Sequence, residues 1–292
     1  MKKKVNLKPI LYIGPHLLLF FVFICLPTVY GIYASFTKWN LIGDPQWVGL
    51  ENYKTLLFDQ SSTFHFQFTN GLKNTLLYVV LMVPLLILIP LLISVALENK
   101  KVRFKSVFQG ILYIPGLVSI SAAALIWSLM FHSKLGIANN LFGLNISWAS
   151  EQPFAWFLVI IVSLWGGIGG NMIIYRAAIA GISPDLYESA EIDGAGSFRK
   201  FLNITLPSIK FPLIYTLVMT TAGCFNVFAQ PLMMTKGGPK QSTHVLMMYI
   251  RTLAFGHGES IAGMASAMAV LLGLIILVIS GFQYYVMNKN AE

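Results

Sequence analysis

This sequence has few charged residues. Asp, Glu, Lys and Arg make up 11% of its 292 residues, whereas a soluble domain carries about 25%. Six stretches contain none of the four, and each exceeds the roughly 20 residues that a helix needs to cross the hydrocarbon core. Continuous apolar runs without alternation exclude a membrane barrel. The uncharged stretches are residues 9–37, 74–97, 106–133, 152–175, 211–235 and 260–288.

Other absences exclude whole classes of chemistry. The chain has no Gly-Lys dipeptide and therefore no phosphate-binding loop of the usual kind. Its five histidines are scattered, which argues against a metal site, and no serine elbow or pair of membrane carboxylates indicates catalysis. The two cysteines, Cys25 and Cys224, lie in predicted spans and are expected to be packing residues. We expect neither a cofactor nor an enzyme active site on this chain.

The charges that are present indicate a topology. With an uncleaved first span and the N-terminus inside, thirteen of the 20 Lys and Arg residues fall on the cytoplasmic side. This bias follows the positive-inside rule, so the net charge of +9 reflects membrane orientation and not nucleic-acid binding. We predict an all-α integral membrane protein forming one domain over residues 1–292, with both termini in the cytoplasm. The predicted spans are about 10–36, 74–97, 106–131, 153–176, 211–232 and 261–287.

One polar segment between spans, residues 183–207, has a helix-turn-helix pattern. Ser183 and Pro184 form a helix-start signal, followed by acidic residues where the helix dipole favours them. Gly194 then allows a turn before a second short helix, and Pro207 precedes the next span. A segment this structured on the cytoplasmic side is typical of a surface that binds a soluble partner.

Neutral polar side chains remain inside two of the predicted spans. Amides and hydroxyls beside the rings of Phe225 and Phe228 suit an uncharged polyhydroxyl solute, whose hydroxyls meet amides and whose C–H faces meet rings. The alternative is that these groups only hydrogen-bond neighbouring helices. Gly166 to Gly170 fits close helix packing better than a ligand site. The polar residues are Trp165, Asn171, Thr220, Thr221, Asn226 and Gln230.

The 183–207 segment resembles the cytoplasmic coupling motif of permease subunits in binding-protein-dependent ABC importers. The family pattern is Glu-Ala-Ala, three residues, Gly, nine residues and Ile-x-Leu-Pro. Here Glu188-Ser189-Ala190 is followed by Gly194 and by Ile204-Thr205-Leu206-Pro207, with Ser189 as the departure. Further similarity, including Gly49 to Tyr53 and Gly237-Gly238-Pro239, points to the carbohydrate branch and its maltose-type first subunit.

The resemblance implies a set of partners and two functional regions. The partners are a second six-span permease subunit, two cytoplasmic ATPases that carry ATP and Mg, and an extracytoplasmic solute-binding protein, in a bacterial cytoplasmic membrane. Glu188 would pair with a basic residue of an ATPase, and Gly194 would make the turn. The implied coupling residues are Glu188, Ser189, Ala190, Asp193, Gly194, Ile204, Leu206 and Pro207.

The resemblance also implies a sugar pocket midway through spans four and five. Together with the polar residues above, the candidate substrate-binding set is Trp165, Gly166, Gly167, Gly170, Asn171, Thr220, Cys224, Asn226, Val227 and Gln230. Gly170, Cys224 and Val227 differ from the residue types expected for maltose, which favours another or bulkier saccharide.

Two alternatives to a saccharide importer remain at this point. An importer of the same class could carry glycerol-3-phosphate, although a phosphate usually binds Arg or Lys, which the spans lack. An ion-coupled secondary carrier is the other alternative, and it usually needs an ionisable group within the membrane.

Overall fold

Helices follow from the uncharged runs, because every backbone N–H and C=O in hydrocarbon must be hydrogen-bonded within the protein. The computed structural model describes residues 8–98, 102–256 and 261–289, and these are mostly helical. The N-terminal lysines, Lys100, Lys101 and His257 lie outside the described residues. The described chain divides into two compact units, the first formed by residues up to Phe68 with Tyr249–Leu274, and the second by Thr69–Met248 with the residues from Ile275 onward.

The first unit begins with a long, exposed apolar helix. Helix α1 (Lys8–Phe20), a π-helical turn (Phe21–Cys25) and α2 (Leu26–Ser35) continue one another. A two-stranded antiparallel ribbon of β1 (Thr37–Lys38) and β2 (Gln46–Trp47) comes next, which the all-helical prediction missed. Helix α3 (Glu51–Phe58) is held by buried Asn52, whose Nδ2 donates to the carbonyls of Ser35 and Thr37 at 2.9 Å each.

The second unit contains the helices that enclose the candidate site. It takes most of α4 (Thr63–Glu98), the N-terminal part of α14 (Leu246–Phe255) and the C-terminal part of α15 (Ala262–Lys289). Between them lie α5 (Lys105–Tyr113), a 3₁₀ turn (Ile114–Leu117), α6 (Ile120–Met130), α7 (Ile137–Phe142), α8 (Phe154–Ala180), α9 (Pro184–Ile192), α10 (Ser197–Lys200), a π-helical turn (Phe201–Thr205), α11 (Leu206–Ser208), α12 (Lys210–Phe225) and α13 (Ala229–Thr235).

Four of the described helices are long and apolar enough to cross a membrane, or six if two bent pairs each count as one span. The four are Tyr12–Ser35, Thr63–Glu98, Phe154–Ala180 and Ala262–Met287. The bent pairs are Lys105–Leu117 with Ile120–Met130, at 100°, and Ser197–Ser208 with Lys210–Phe225, at 73°. The chain is therefore a multi-pass membrane protein.

Two predicted spans differ from the structure in shape. The stretch 106–131 was expected as one helix, but it turns at Pro115-Gly116, and Ser119 Oγ caps α6 by accepting from Ala122 N at 3.3 Å. The stretch 211–232 contains a helix end, since α12 stops at Phe225 and α13 starts at Ala229. Both breaks lie beside the cavity described below.

Hydrogen bonds join α4 to α8 at a place that the sequence explains. Pro90 has no N–H, so the carbonyl of Leu86 lacks its usual partner within α4. Asn171 Nδ2 donates to that carbonyl at 2.8 Å. One turn further along, Ser94 Oγ donates to the carbonyl of Met172 at 3.1 Å, and Tyr175 packs below in a cluster of buried apolar side chains. These bonds fix the α8 face that lines the cavity.

Candidate functional site

A cavity of about 610 Å³ lies among α4, the 114–117 turn, α6, α8, α12 and α13. Its volume is within the range of small-molecule sites, about 300–1,000 Å³. We call it the span cavity. All ten residues of the candidate substrate-binding set line it: Trp165, Gly166, Gly167, Gly170, Asn171, Thr220, Cys224, Asn226, Val227 and Gln230. The structure therefore brings together the residues that the sequence indicated, and their role in binding stays a prediction.

Helix α8 contributes one continuous face, because residues four apart lie on the same side of a helix. Gly166 and Gly170 are spaced in this way, and a Cβ added to either would meet no atom within 4 Å. Close packing of the 166–170 run is present, but a Cβ at Gly166 or at Gly170 would not disturb it. Packing depends instead on Gly169, where a Cβ would lie 2.7 Å from Tyr113 Cα and 2.9 Å from the carbonyl oxygen of Leu112.

Two polar side chains of the cavity wall are already engaged in joining helices. Besides its bond to Leu86, Asn171 Nδ2 donates to Thr220 Oγ1 at 3.0 Å, which links α8 to α12. Thr221, which does not line the cavity, accepts from Gln283 Nε2 at 3.0 Å, a link to α15 within the second unit. For these residues the helix-bonding alternative fits the geometry.

Asn226 is placed differently. It follows the last residue of α12, it is exposed, and its Nδ2 donates at 2.8 Å to the carbonyl of Ala222 in the helix that it ends. This bond does not join two helices. The bond holds the Asn226 amide at the break between α12 and α13, and contact of this amide with a solute stays a prediction.

The cavity wall combines rings and hydroxyls without charge. Of the described residues that line it, none is Asp, Glu, Lys, Arg or His. The Trp165 ring lies edge-on to Trp127, with ring centroids 5.8 Å apart. An ionised solute would find no oppositely charged side chain on this wall, whereas a neutral one could use its amides and hydroxyls.

Sequence reasoning missed about half of the wall. Tyr78 and Ser163 supply further hydroxyls, Gly223 supplies space, and Phe228 supplies a ring that the sequence had placed only beside the cluster. The Pro115-Gly116 dipeptide was a usable signal, since this pair predicts a turn inside an otherwise apolar run. The remaining missed residues are apolar and lie on α4, on or just before α6, on α8 and on α13, so nothing in their type distinguishes them: Leu86, Val118, Ile120, Ala123, Val162 and Ala229.

The second candidate region, residues 183–208, forms two short helices around a turn; we call it the motif segment. Ser183 Oγ accepts from Asp185 N at 3.4 Å and caps α9, as predicted. Gly194 has φ +75°, a conformation that favours glycine, and Ala195 N donates to the carbonyl of Ala190 at 2.8 Å to close the turn. Tyr187 Oη and Thr205 Oγ1 lie 2.9 Å apart and tie the two arms together.

The surface of the motif segment is both charged and apolar. Glu188, Ser189, Asp193, Gly194 and Pro207 are exposed, whereas Ala190, Ile204 and Leu206 are half-buried. Ile192 is 88% and Phe198 is 74% exposed. Exposed large apolar side chains beside carboxylates are typical of a surface that another protein covers. No group of three or more potential metal ligands occurs among the described residues of the chain.

The family model for "Binding-protein-dependent transport system inner membrane component" matches residues 61–290. The chain belongs to this family, so it is a permease and not the ATP-hydrolysing subunit, and the resemblance inferred from the motif is confirmed.

Relatives of known name extend the match over nearly the whole chain. The probable starch degradation products transport system permease protein AmyD of Thermoanaerobacterium thermosulfurigenes is 32% identical, covering 96% of this chain and 94% of that protein. The arabinooligosaccharides transport system permease protein AraP of Halalkalibacterium halodurans is 34% identical, covering 95% and 86%. The lactose transport system permease protein LacF of Rhizobium radiobacter is 32% identical, covering 76% of this chain and 77% of that protein.

A solved structure shares the fold. In the bacterial alginate ABC transporter in complex with an alginate pentasaccharide-bound periplasmic protein, one chain matches with a TM-score of 0.81 and 24% identity, covering 99% of both chains. That assembly includes a periplasmic binding protein.

Proposed function

We propose that this permease moves a di- or oligosaccharide across the bacterial cytoplasmic membrane through the span cavity. The observation that carries the proposal is the uncharged wall: ten residues selected by sequence converge on one cavity of about 610 Å³ that offers amides, hydroxyls and rings. The printed substrates of the relatives support it, since starch products, arabinooligosaccharides and lactose are all polyhydroxyl solutes.

The proposal includes six spans, with each bent pair counted as one, and both termini in the cytoplasm. It also assigns the motif segment to coupling: α9 and the following arm would dock on a cytoplasmic ATPase, with Glu188 facing a basic residue. The exposure of Glu188 and of its apolar neighbours supports this role. A charge-assisted hydrogen bond at such a contact is strong and directional.

The proposed assembly has two permease subunits, two ATPases that bind ATP and Mg, and a solute-binding protein outside. ATP binding would draw the two motif segments together and open the span cavity outward. Hydrolysis would return the cavity to face inward. Because a ligand shifts an equilibrium only through its different affinity for the two states, ATP and saccharide must each contact them differently.

The test is the ATPase activity of the reconstituted complex with its binding protein, measured across oligosaccharides and glycerol-3-phosphate. We expect stimulation by one class of saccharide. Stimulation by glycerol-3-phosphate alone would contradict the neutral cavity as the substrate site while leaving the coupling role intact. Uptake that persists without the ATPases and collapses with an ionophore would instead establish an ion-coupled carrier.

A further inference from the structure

A second cavity, of about 460 Å³, lies next to the span cavity in the same unit. We call it the loop cavity, because it is lined by the segment after α6, by the segment before α8 and by the end of α13. Its wall has aromatic rings and serine hydroxyls, as the span cavity has rings and amides. The lining residues are Ser128, Phe131, His132, Ser133, Ser147, Trp148, Ala149, Ser150, Leu158, Met233, Met234, Thr235 and Lys236.

The two cavities share no lining residue, but two helices line both. On α8, Leu158 lines the loop cavity and Val162, one turn on, lines the span cavity. On α13, Gln230 lines the span cavity and Met234, four residues on, lines the loop cavity. Since residues four apart share a helix face, the same two faces run from one cavity to the other.

A series of aromatic contacts joins the walls of the two cavities through Trp127, which lines neither cavity. Trp165, in the span cavity, contacts Trp127 at a centroid distance of 5.8 Å, and Trp127 stacks on Phe131 at 5.6 Å. Phe131 and Trp148, both in the loop cavity, are 4.9 Å apart. We call Trp165, Trp127, Phe131 and Trp148 the aromatic track.

The far end of the track is held rigidly. Trp148 Nε1 donates to Asn139 Oδ1 at 2.7 Å, and Asn139 Nδ2 donates to the carbonyls of Ser133 and Ile146 at 2.7 and 2.9 Å. The polar edge of Trp148 is therefore satisfied inside the protein, which leaves its ring as a fixed apolar wall. A ring fixed in advance binds a ligand without the loss of side-chain freedom on binding.

We propose that the loop cavity is a second carbohydrate subsite, which holds the trailing sugar units of an oligosaccharide whose leading end occupies the span cavity. Trp165 in the span cavity and Phe131 and Trp148 in the loop cavity would contact the C–H faces of the sugars, and the serine hydroxyls of the loop cavity would bond sugar hydroxyls. The inference rests on the proposed function, and it adds that the chain selects for saccharide length. A disaccharide would fit the span cavity alone, and longer chains would use both cavities.

The first experiment measures uptake by the reconstituted complex for a series of oligosaccharides from two to six units, with Phe131→Ala. The KM for chains of four or more units is expected to rise about tenfold, within the range for truncating a contact aromatic at a binding surface, while the KM for the disaccharide changes less than twofold. The matched control is Phe142→Ala, an exposed phenylalanine on α7 that lines neither cavity. An equal change at every length, or no change, would overturn the proposal.

The second experiment measures binding directly and separates the two proposals. Cysteines are introduced singly at Gly223 in the span cavity and at Ser150 in the loop cavity, after replacement of Cys25 and Cys224 by serine. Thiol labelling is then followed with a disaccharide and with a hexasaccharide of the transported class. We expect the disaccharide to protect only Gly223→Cys and the hexasaccharide to protect both.

The other outcomes are decisive as well. Protection of Gly223→Cys alone by the hexasaccharide would overturn the second subsite while the proposed function stands. Protection at neither position by any saccharide would overturn the saccharide function of the span cavity, and the second subsite with it.

Discussion

The span cavity and the motif segment use opposite chemistry within one compact unit. The cavity has no charged residue on its described wall, and two of its polar side chains, Asn171 and Thr220, join neighbouring helices. The motif segment exposes Glu188 and Asp193 beside large apolar side chains. The difference teaches where specificity can arise. A neutral solute is recognised by hydrogen-bonding groups placed in a cavity, whereas a soluble partner is recognised by charge and apolar area on an exposed surface.

Reversing a charge in the motif segment should have the largest effect. Glu188→Lys is expected to lower saccharide-stimulated ATPase activity and uptake by at least about tenfold, because losing one partner of an interface charge pair costs about 2–5 kcal/mol. Membrane insertion should be unchanged, since Glu188 makes no described contact that holds the fold. The measurements are the amount of inserted subunit, ATPase activity and uptake in proteoliposomes.

The matched control for this variant is Glu151→Lys, an equally exposed glutamate outside the motif segment. It should retain uptake within about twofold, as surface substitutions usually change little. Normal stimulated ATPase activity and uptake in Glu188→Lys would refute the coupling role of the motif segment. The contrast between this segment and the span cavity would then have no functional meaning.

Filling the span cavity should have the next largest effect. A side chain at Gly170 projects into open space, so Gly170→Phe is expected to lower uptake about tenfold or more by occupying the site, with normal insertion. Gly169→Ala is the matched variant. Its Cβ would press on the backbone of residues 112 and 113, at a cost of about 1–3 kcal/mol for overpacking.

Thermal unfolding and uptake per inserted subunit are measured for Gly170→Phe and for Gly169→Ala. Gly170→Phe should change uptake and not unfolding, and Gly169→Ala should change unfolding. A Gly170→Phe variant that transports normally would show that the saccharide does not pass the span cavity.

The glycines also show what the sequence could and could not predict. Apolar runs predicted the helices and the coupling motif predicted the family, and the family resemblance together with the neutral polar residues of two spans predicted ten residues of the cavity wall. Sequence spacing alone could not tell which of Gly166, Gly169 and Gly170 faces a neighbour, because that depends on where the backbone of residues 112–113 crosses α8. The path of residues 112–113 across α8 depends in turn on the bend that follows α5, and the length of an uncharged run does not reveal such a bend.

The roles of the polar residues in the cavity wall could likewise be predicted only in part from the sequence. Amide and hydroxyl types predicted a polar cavity, yet the use of Asn171 as a helix link follows from Pro90, more than eighty positions away in the chain. A proline inside a membrane helix leaves a carbonyl without a partner, so a neighbouring donor is required. This rule can be applied to sequence only when the contact between α4 and α8 is already known.

Comparing two asparagines sharpens the distinction between helix links and solute contacts. Asn171→Ala should lower the free energy of unfolding by about 0.6–1.7 kcal/mol, the range for hydrogen bonds between membrane helices. Asn226→Ala should raise the KM for the transported saccharide about threefold to tenfold, since a net hydrogen bond contributes about 0.5–1.5 kcal/mol, with little change in unfolding. If Asn226→Ala destabilised the protein and left KM unchanged, the helix-bonding alternative would hold for Asn226 too.

The smallest effect is expected within the motif segment itself. Lys200 Nζ donates to Glu191 Oε1 at 2.8 Å, but the glutamate side chain is 64% exposed. Exposed ion pairs contribute about 0.2–1 kcal/mol, because water and salt screen the attraction and two long side chains must be ordered. A double-mutant cycle with Glu191→Gln and Lys200→Gln, followed by thermal unfolding, should give a coupling energy of about 0.5 kcal/mol that declines as salt is raised.

Stimulated ATPase activity should fall far less in Glu191→Gln than in Glu188→Lys, because Glu191 already has a partner within the segment and Glu188 is proposed to find its partner on the ATPase. Equal losses in the two variants would mean that the segment depends on its total negative charge and that Glu188 has no specific contact.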